Sequence, residues 1–145
     1  MVTFRRMTME DVDCVSQLER ETFSIPWSKD SFAQIVDNPM ALFMIALDEG
    51  KHIGTCGMLV IAGEGDISNV AVAKEYRGKG IAYQLVGEAM KVAMSEYDAT
   101  EFTLEVRAGN APAIGLYQKL GFVSEGVRPG FYEKPVEDAV IMWKR

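Results

Sequence analysis

The run Arg77-Gly78-Lys79-Gly80-Ile81-Ala82 sets two cations and two glycines directly ahead of a helical apolar pattern. Glycines let a backbone approach a ligand closely, and the first amides of a helix have no intrahelical partner. A strand, glycine loop and helix start of this kind is a ready anion site, with Arg77 and Lys79 adding positive charge. A plain surface turn accounts for the same residues, because short glycine patterns arise by chance. The Gly-x-x-x-x-Gly-Lys-Ser/Thr spacing of a nucleoside-triphosphate loop is absent. No third glycine completes a dinucleotide fingerprint.

Chemistry that needs several histidines or thiolates is closed to this chain. His52 is the sole histidine, and Cys14 and Cys56 are the only cysteines, far apart in sequence. Neither a zinc cluster nor a His-rich centre can be assembled, so no metal is expected. A Ser-His-Asp triad would have to recruit His52, which reads as an ordinary strand residue near the start of an apolar stretch. Cysteine usage points to a reduced cytoplasm.

Fifteen Lys and Arg stand against 21 Asp and Glu, a net charge of −6, which disfavours direct nucleic-acid binding and suits a basic peptide or an amine. The longest apolar runs, Ala41 to Leu47 and Met58 to Ala62, are too short to span a bilayer, and no signal-peptide core is read near Arg5 and Arg6. At 145 residues, with no repeat or linker, the chain reads as one domain over 1–145. A chain of this size buries roughly two thirds of its unfolded surface, enough for a core without staples. A monomer is the expected state.

The elements that must position the loop follow from periodicity and caps. A strand Thr3 to Arg6 precedes Thr8, an N-cap with Glu10 and Asp11 in the first turn, and a helix to about Phe23. Pro26 interrupts it; Ser28 caps a shorter helix to about Asn38, ended by Pro39. Ala41 to Leu47 and Lys51 to Ile61 flank Asp48-Glu49-Gly50, a hairpin signal. Gly63-Glu64-Gly65 turns the chain into a strand Ile67 to Ala73, and after the glycine loop a long amphipathic helix runs from Ile81 to Tyr97. Thr100 to Val106 alternates as a strand, with Glu105 opposite Phe102, Leu104 and Val106. Asn110 caps a helix that Gly121 ends, and strands Phe122 to Val127 and Ala139 to Trp143 close the chain. The order β-α-α-β-β-β-α-β-α-β-β predicts a mixed α/β sheet covered by helices.

Arg77-x-x-Gly80-x-Ala82 resembles the Gln/Arg-x-x-Gly-x-Gly/Ala signature of the GCN5-related N-acetyltransferase (GNAT) superfamily. The segments Phe23 to Ser28, Leu104 to Asn110, Ala113 to Phe122 and Glu137 to Met142 resemble the RimI family of ribosomal-protein alanine N-acetyltransferases. The resemblance covers nearly the whole chain. It implies a mostly antiparallel sheet of about seven strands with four helices, and acetyl-coenzyme A as co-substrate. Val70, Ala71 and Val72 would bind the acetyl and pantetheine part through the main chain. The pyrophosphate loop would comprise Gly78, Lys79, Gly80, Ile81, Ala82 and Tyr83, with Arg77 at its edge. Asn110 and Tyr117 would also contact the co-substrate. Glu105 matches the general base and Tyr117 the general acid, while Trp27 and Tyr132 are candidates for the acceptor.

Each residue has a second reading. Glu105 fits a solvated strand face, Tyr117 a core stripe with Ala113, Leu116 and Leu120, Asn110 a plain N-cap, and Trp27 a loop anchor. The expected function is acetyl transfer to the N-terminal alanine of a small-subunit ribosomal protein, whose basic N-terminal peptide would be drawn to the acidic protein, with Glu137 and Asp138 adding locally. The alternatives are a small-molecule (polyamine-like) amine acetyltransferase and a non-catalytic coenzyme A-binding module. Glu105 and Tyr117 together argue against the latter, since a pure binder needs neither.

Overall fold

Alternation along the strands decides which side of the sheet each residue faces. In the computed structural model, which describes residues 1–145, one sheet runs in the order β1-β2-β3-β4-β5-β7-β6. Its strands are β1 (Val2–Arg6), β2 (Ala41–Asp48), β3 (Lys51–Ile61), β4 (Glu64–Val72), β5 (Glu101–Arg107), β6 (Val123–Tyr132) and β7 (Glu137–Lys144). The helices are α1 (Val12–Thr22), α2 (Lys29–Val36), α3 (Ile81–Glu96) and α4 (Ala111–Lys119). All neighbouring strands are antiparallel except β4 and β5. This is the expected mixed sheet with four helices.

Local chemistry sets the boundaries. The Asp11 carboxylate accepts the Thr8 N–H at 2.7 Å and pairs with Arg5 at 2.8 Å, and the guanidinium holds Asp11 below the usual carboxylate range. Ser28 Oγ accepts the Ser31 amide at 3.1 Å at the start of α2. Glu49 and Gly50, with φ of 48° and 84°, make the tight β2–β3 turn. Two boundaries differ most from the sequence reading. The turn before β4 is Ala62-Gly63, so β4 begins at Glu64; Gly65 lies inside the strand because a Cβ there would meet Phe102 and Met58. β6 extends through Phe131-Tyr132, which therefore stand on a strand and not in a connecting loop.

Leu42, Met44 and Ala46 of β2 face α3, together with Cys56 and Met58 of β3 and Leu104 and Val106 of β5. Phe43 and Ile45 face the other way, onto Val12 and Val15 of α1 and Phe32 of α2. Helices α1 and α2 thus cover one face; α3 and α4 cover the other.

Two irregularities shape the centre. Strand β4 pairs with β5 only from Glu64↔Glu101 to Asp66↔Thr103, and then the two diverge. Against β3, Ser68 pairs with Gly57 and Ala71 with Thr55, so β4 carries one extra residue, a bulge with Asn69 at φ 54°.

Gly57 is the tightest point of the α1/α2 face, since a Cβ there would strike the Phe43 ring. Gly57→Ala should displace Phe43 from its packing with Phe32 and Trp27 and cost about 1–3 kcal/mol, read as a lower midpoint in urea unfolding.

Candidate functional site

The glycine loop sits at the end of β4. Gly78 and Gly80 have φ of 77° and 79°, and a Cβ at either would meet open space. The first helical bond joins the Gln84 amide to the Gly80 carbonyl at 3.1 Å, so the amides of Ile81, Ala82 and Tyr83 have no intrahelical partner. Arg77 Nε donates to the Val72 carbonyl at 2.9 Å and ties the loop to β4. Lys79 Nζ lies 5.5 Å from the centre of the Tyr76 ring, whose hydroxyl donates to Asp48 at 2.7 Å. Unpartnered amides with open space beside the two glycines, next to Arg77 and Lys79, fit a phosphate group. The residues that this loop needs were all visible in the sequence.

Glu105 lies beside the divergence. By its pairing with Ile141, and by that of Asp66 with Thr103, its side chain is on the α1/α2 face with Asp66. Glu105 is about a quarter exposed, and Arg128 of β6 approaches it at 3.9 Å. The Asp66 carboxyl is pushed up by burial and by the negative charge of Glu105. Tyr132 is half-buried, its phenol also raised by burial and by Glu105. Tyr117 arrives from the opposite face. It is buried in the α3/α4 core, edge-on to Phe122 at 5.8 Å between ring centres, and burial raises its phenol well above the usual value, with Cys56 and then Tyr132 adding to the shift. Such a phenol keeps its proton throughout the neutral range. A carboxylate beside the divergence and a neutral phenol in the α3/α4 core therefore stand on opposite faces of the sheet.

A second cluster escaped the sequence reading. Glu19 of α1 is 4 % exposed, and burial pushes its carboxyl up against the opposing pull of two hydrogen-bond donors. These are the Trp27 amide at 3.0 Å and Asn69 Nδ2, which lies 3.2 Å from both carboxylate oxygens. In sequence Glu19 looked like any helical glutamate; the only signal was Asn69, a residue depleted in strands, within a strand-like run. Trp27 is a loop anchor in part, packed at 5.3 Å on Phe32 and 5.7 Å on Phe43, and it also rims an open concavity with Ser31 and Gln34. Asn110 caps α4, its Oδ1 accepting the Ala113 amide at 3.2 Å.

The β6–β7 turn is clamped from β5. Arg107 donates to the carbonyls of Pro135 at 2.9 Å and Glu133 at 3.0 Å, pairs with Glu137 at 3.2 Å, and lies 4.4 Å from the Tyr132 ring centre. Glu137 also accepts the Gly109 amide at 2.6 Å, and Asp138 accepts the Gly130 amide at 2.9 Å. Glu137 thus braces Arg107 and the segment after β5, while the exposed Asp138 ties β7 to β6, and both keep their negative charge on this side of the molecule.

The sequence profile of the Acetyltransferase (GNAT) family matches residues 12–122. The chain belongs to this family. It is an acetyl-CoA-dependent N-acetyltransferase. It is 39% identical over 140 residues, covering 96% of the chain and 92% of the relative, to a Bacillus subtilis protein that carries the provisional name [ribosomal protein bS18]-alanine N-acetyltransferase. It is 29% identical to the [ribosomal protein bS18]-alanine N-acetyltransferase of Escherichia coli K12, covering 98% of the chain and 96% of that relative. The crystal structure of the Escherichia coli ribosomal-protein-S18-alanine N-acetyltransferase superposes with a TM-score of 0.90 over 99% of this chain and 93% of that one, at 28% identity. A spermidine N-acetyltransferase chimera from Vibrio cholerae and hSSAT shares the fold at TM-score 0.85 and 20% identity, covering 99% of this chain and 94% of that one.

Arg107→Ala should release the β6–β7 turn while leaving the sheet intact. Amide hydrogen exchange at the strand ends that flank the turn, around the Tyr132↔Glu137 pair, is expected to quicken at least tenfold, with strands β2 and β3 unchanged.

Proposed function

We propose that this N-acetyltransferase moves an acetyl group from acetyl-CoA to the N-terminal alanine amine of a small-subunit ribosomal protein, with Glu105 as general base and Tyr117 as general acid. The observation that carries the reading is the position of Glu105 on β5 just beyond the last pair with β4, with the buried Tyr117 packed on the opposite face of the sheet. The names and extended coverage of the Bacillus subtilis and Escherichia coli relatives support the acceptor. In this reading the pyrophosphate lies on Gly78, Lys79, Gly80, Ile81, Ala82 and Tyr83 beside Arg77, and the acetyl and pantetheine part lies along Val70, Ala71 and Val72. Asn110 and Tyr117 complete the co-substrate site. Trp27 and Tyr132 grip the acceptor. Residues 1–145 act as one domain, and no helix of the chain is long and apolar enough to cross a membrane.

The chemistry requires a neutral amine. An α-amino group with pKa about 8 costs roughly 1.4 kcal/mol to deprotonate at pH 7, whereas a lysine at about 10.4 costs roughly 4.6 kcal/mol. One carboxylate, acting directly or through a water, suffices for the first. The amine nitrogen bonds to the thioester carbon and its proton passes to Glu105. The carbon–sulfur bond breaks, and the departing sulfur takes the Tyr117 proton. A backbone amide near Val70 stabilises the negative oxygen. No covalent enzyme intermediate is needed.

Glu105→Gln should lower kcat about 10²–10⁴-fold with acetyl-CoA affinity nearly unchanged. Raising the pH toward 9 should recover part of the loss, because the α-amine is then already neutral. A loss below roughly threefold removes Glu105 from the role.

The acceptor is tested by comparing kcat/KM for an Ala-Arg-initiated peptide, its N-terminally blocked form with an internal lysine, and spermidine, each at two salt concentrations. The free N-terminus should win clearly, and its advantage should shrink as salt screens the attraction of a basic peptide to a protein of net charge −6. A win for spermidine replaces this reading with the small-molecule one.

A further inference from the structure

Asn69 Oδ1 is the one buried side-chain oxygen or nitrogen in the molecule that has no hydrogen-bond partner. Native proteins seldom leave such an atom bare without a reason in their function. Its orientation is not free. Asn69 occupies the β4 bulge at φ 54°, a conformation that asparagine tolerates better than most residues. Its Nδ2 faces both oxygens of the buried Glu19 carboxylate, so turning the amide round would set oxygen against oxygen. Glu19 is in turn fixed by the Trp27 amide. The nitrogen points inward to α1, and the oxygen is left as a bare acceptor.

The position matters as much as the atom. Asn69 lies three residues beyond the last β4–β5 pair, Asp66↔Thr103, where the two strands have separated. Its side chain is on the α1 side of the sheet, the face that carries Glu105, and opposite the face from which Tyr117 arrives. It directly precedes the stretch assigned above to the acetyl and pantetheine part. The oxygen is sheltered from water, which keeps its hydrogen-bonding strength for a donor that displaces the shelter.

We propose that Asn69 Oδ1, oriented by Glu19, accepts a hydrogen bond from an N–H at the amino terminus of the acceptor, so that Asn69 is an acceptor-binding residue and Glu19 its positioning residue. This rests on the reading of the site as one for N-terminal amines. The donor is the terminal amine itself or the first peptide N–H, and the same chemistry serves either.

The test uses the whole protein with an Ala-Arg-initiated peptide and the same peptide N-methylated at its second residue. Asn69→Gly keeps the positive φ available and removes only the carboxamide. It should raise the peptide KM roughly 5- to 30-fold with acetyl-CoA affinity within about twofold, the size expected for one lost hydrogen bond in a closed site. If N-methylation weakens the wild type but not the variant, the peptide N–H is the donor; an equal loss in both assigns the terminal amine. Glu19→Gln provides a second route. Its Oε1 still accepts the Trp27 amide, while its new Nε2 lets Asn69 turn its oxygen inward, so the peptide KM should rise as it does in Asn69→Gly, and the double variant should be no worse than Asn69→Gly alone. Wild-type turnover with an unchanged peptide KM in both single variants overturns this inference and spares the proposed function. Equal losses of peptide and acetyl-CoA affinity overturn it too, because the bulge would then serve the co-substrate. Absence of turnover of the Ala-initiated peptide by the wild type overturns the proposed function and this inference together.

Discussion

Backbone amides and carbonyls must find partners, and the short parallel pairing of β4 with β5 leaves a stretch of them without one. Three residue pairs hold the strands together before they part. From there β4 keeps β3 on one side and β5 keeps β7 on the other, and the edges that face each other have no ladder. Water, side chains or a ligand must fill that role. Arg77 takes part of it by donating to the Val72 carbonyl, which also fixes the glycine loop to the strand end. The proposed co-substrate site lies along the same edge. A continuous sheet would have no such opening, so the break is the feature on which the site depends.

The acidic residues around the opening divide by solvation. Glu105 keeps partial contact with water and has a loose cation in Arg128, which suits a group that must exchange protons. Glu19 is buried, and its burial is offset by donors from the Trp27 amide and Asn69. A carboxylate committed to two donors is a poor base and a good brace. Glu137, half-buried between Arg107 and the Gly109 amide, is a second brace, whereas Asp138 is exposed and holds only the Gly130 amide. Net charge and sequence position alone make these four residues look alike; their partners separate them.

The sequence disclosed what depends on neighbours in the chain. Caps at Ser28 and Asn110, the Glu49-Gly50 hairpin and the glycine loop all involve residues within a few positions of one another, so residue type and spacing were enough. The face of Glu105 was legible for the same reason, since it follows from strand alternation, whereas its role as base was implied by the family resemblance alone. The Glu19–Asn69 pair spans 50 residues and the Arg107–Glu137 clamp spans 30, and no local pattern announces either. The start of β4 was misjudged because Gly65 reads as turn chemistry, although the glycine is required there by Phe102 across the parallel pair. Local periodicity cannot register that kind of demand.

The same division bears on how one fold accommodates different acceptors. The chain overlays closely on a ribosomal-protein acetyltransferase and on a spermidine acetyltransferase chimera, so the backbone path by itself does not choose the amine. What is built around the opening differs by face. On the α3/α4 face lie the glycine loop and the buried phenol of Tyr117, a setting that suits a co-substrate of fixed structure. On the α1/α2 face lie side chains and connections held by single long-range tethers, such as the Trp27 amide on Glu19 and the β6–β7 turn on Arg107. A tether of that kind can be altered by one substitution without disturbing the ladder of the sheet. Under the proposed function, acceptor choice belongs to the tethered face, and retuning it requires no change in the strands assigned to the co-substrate.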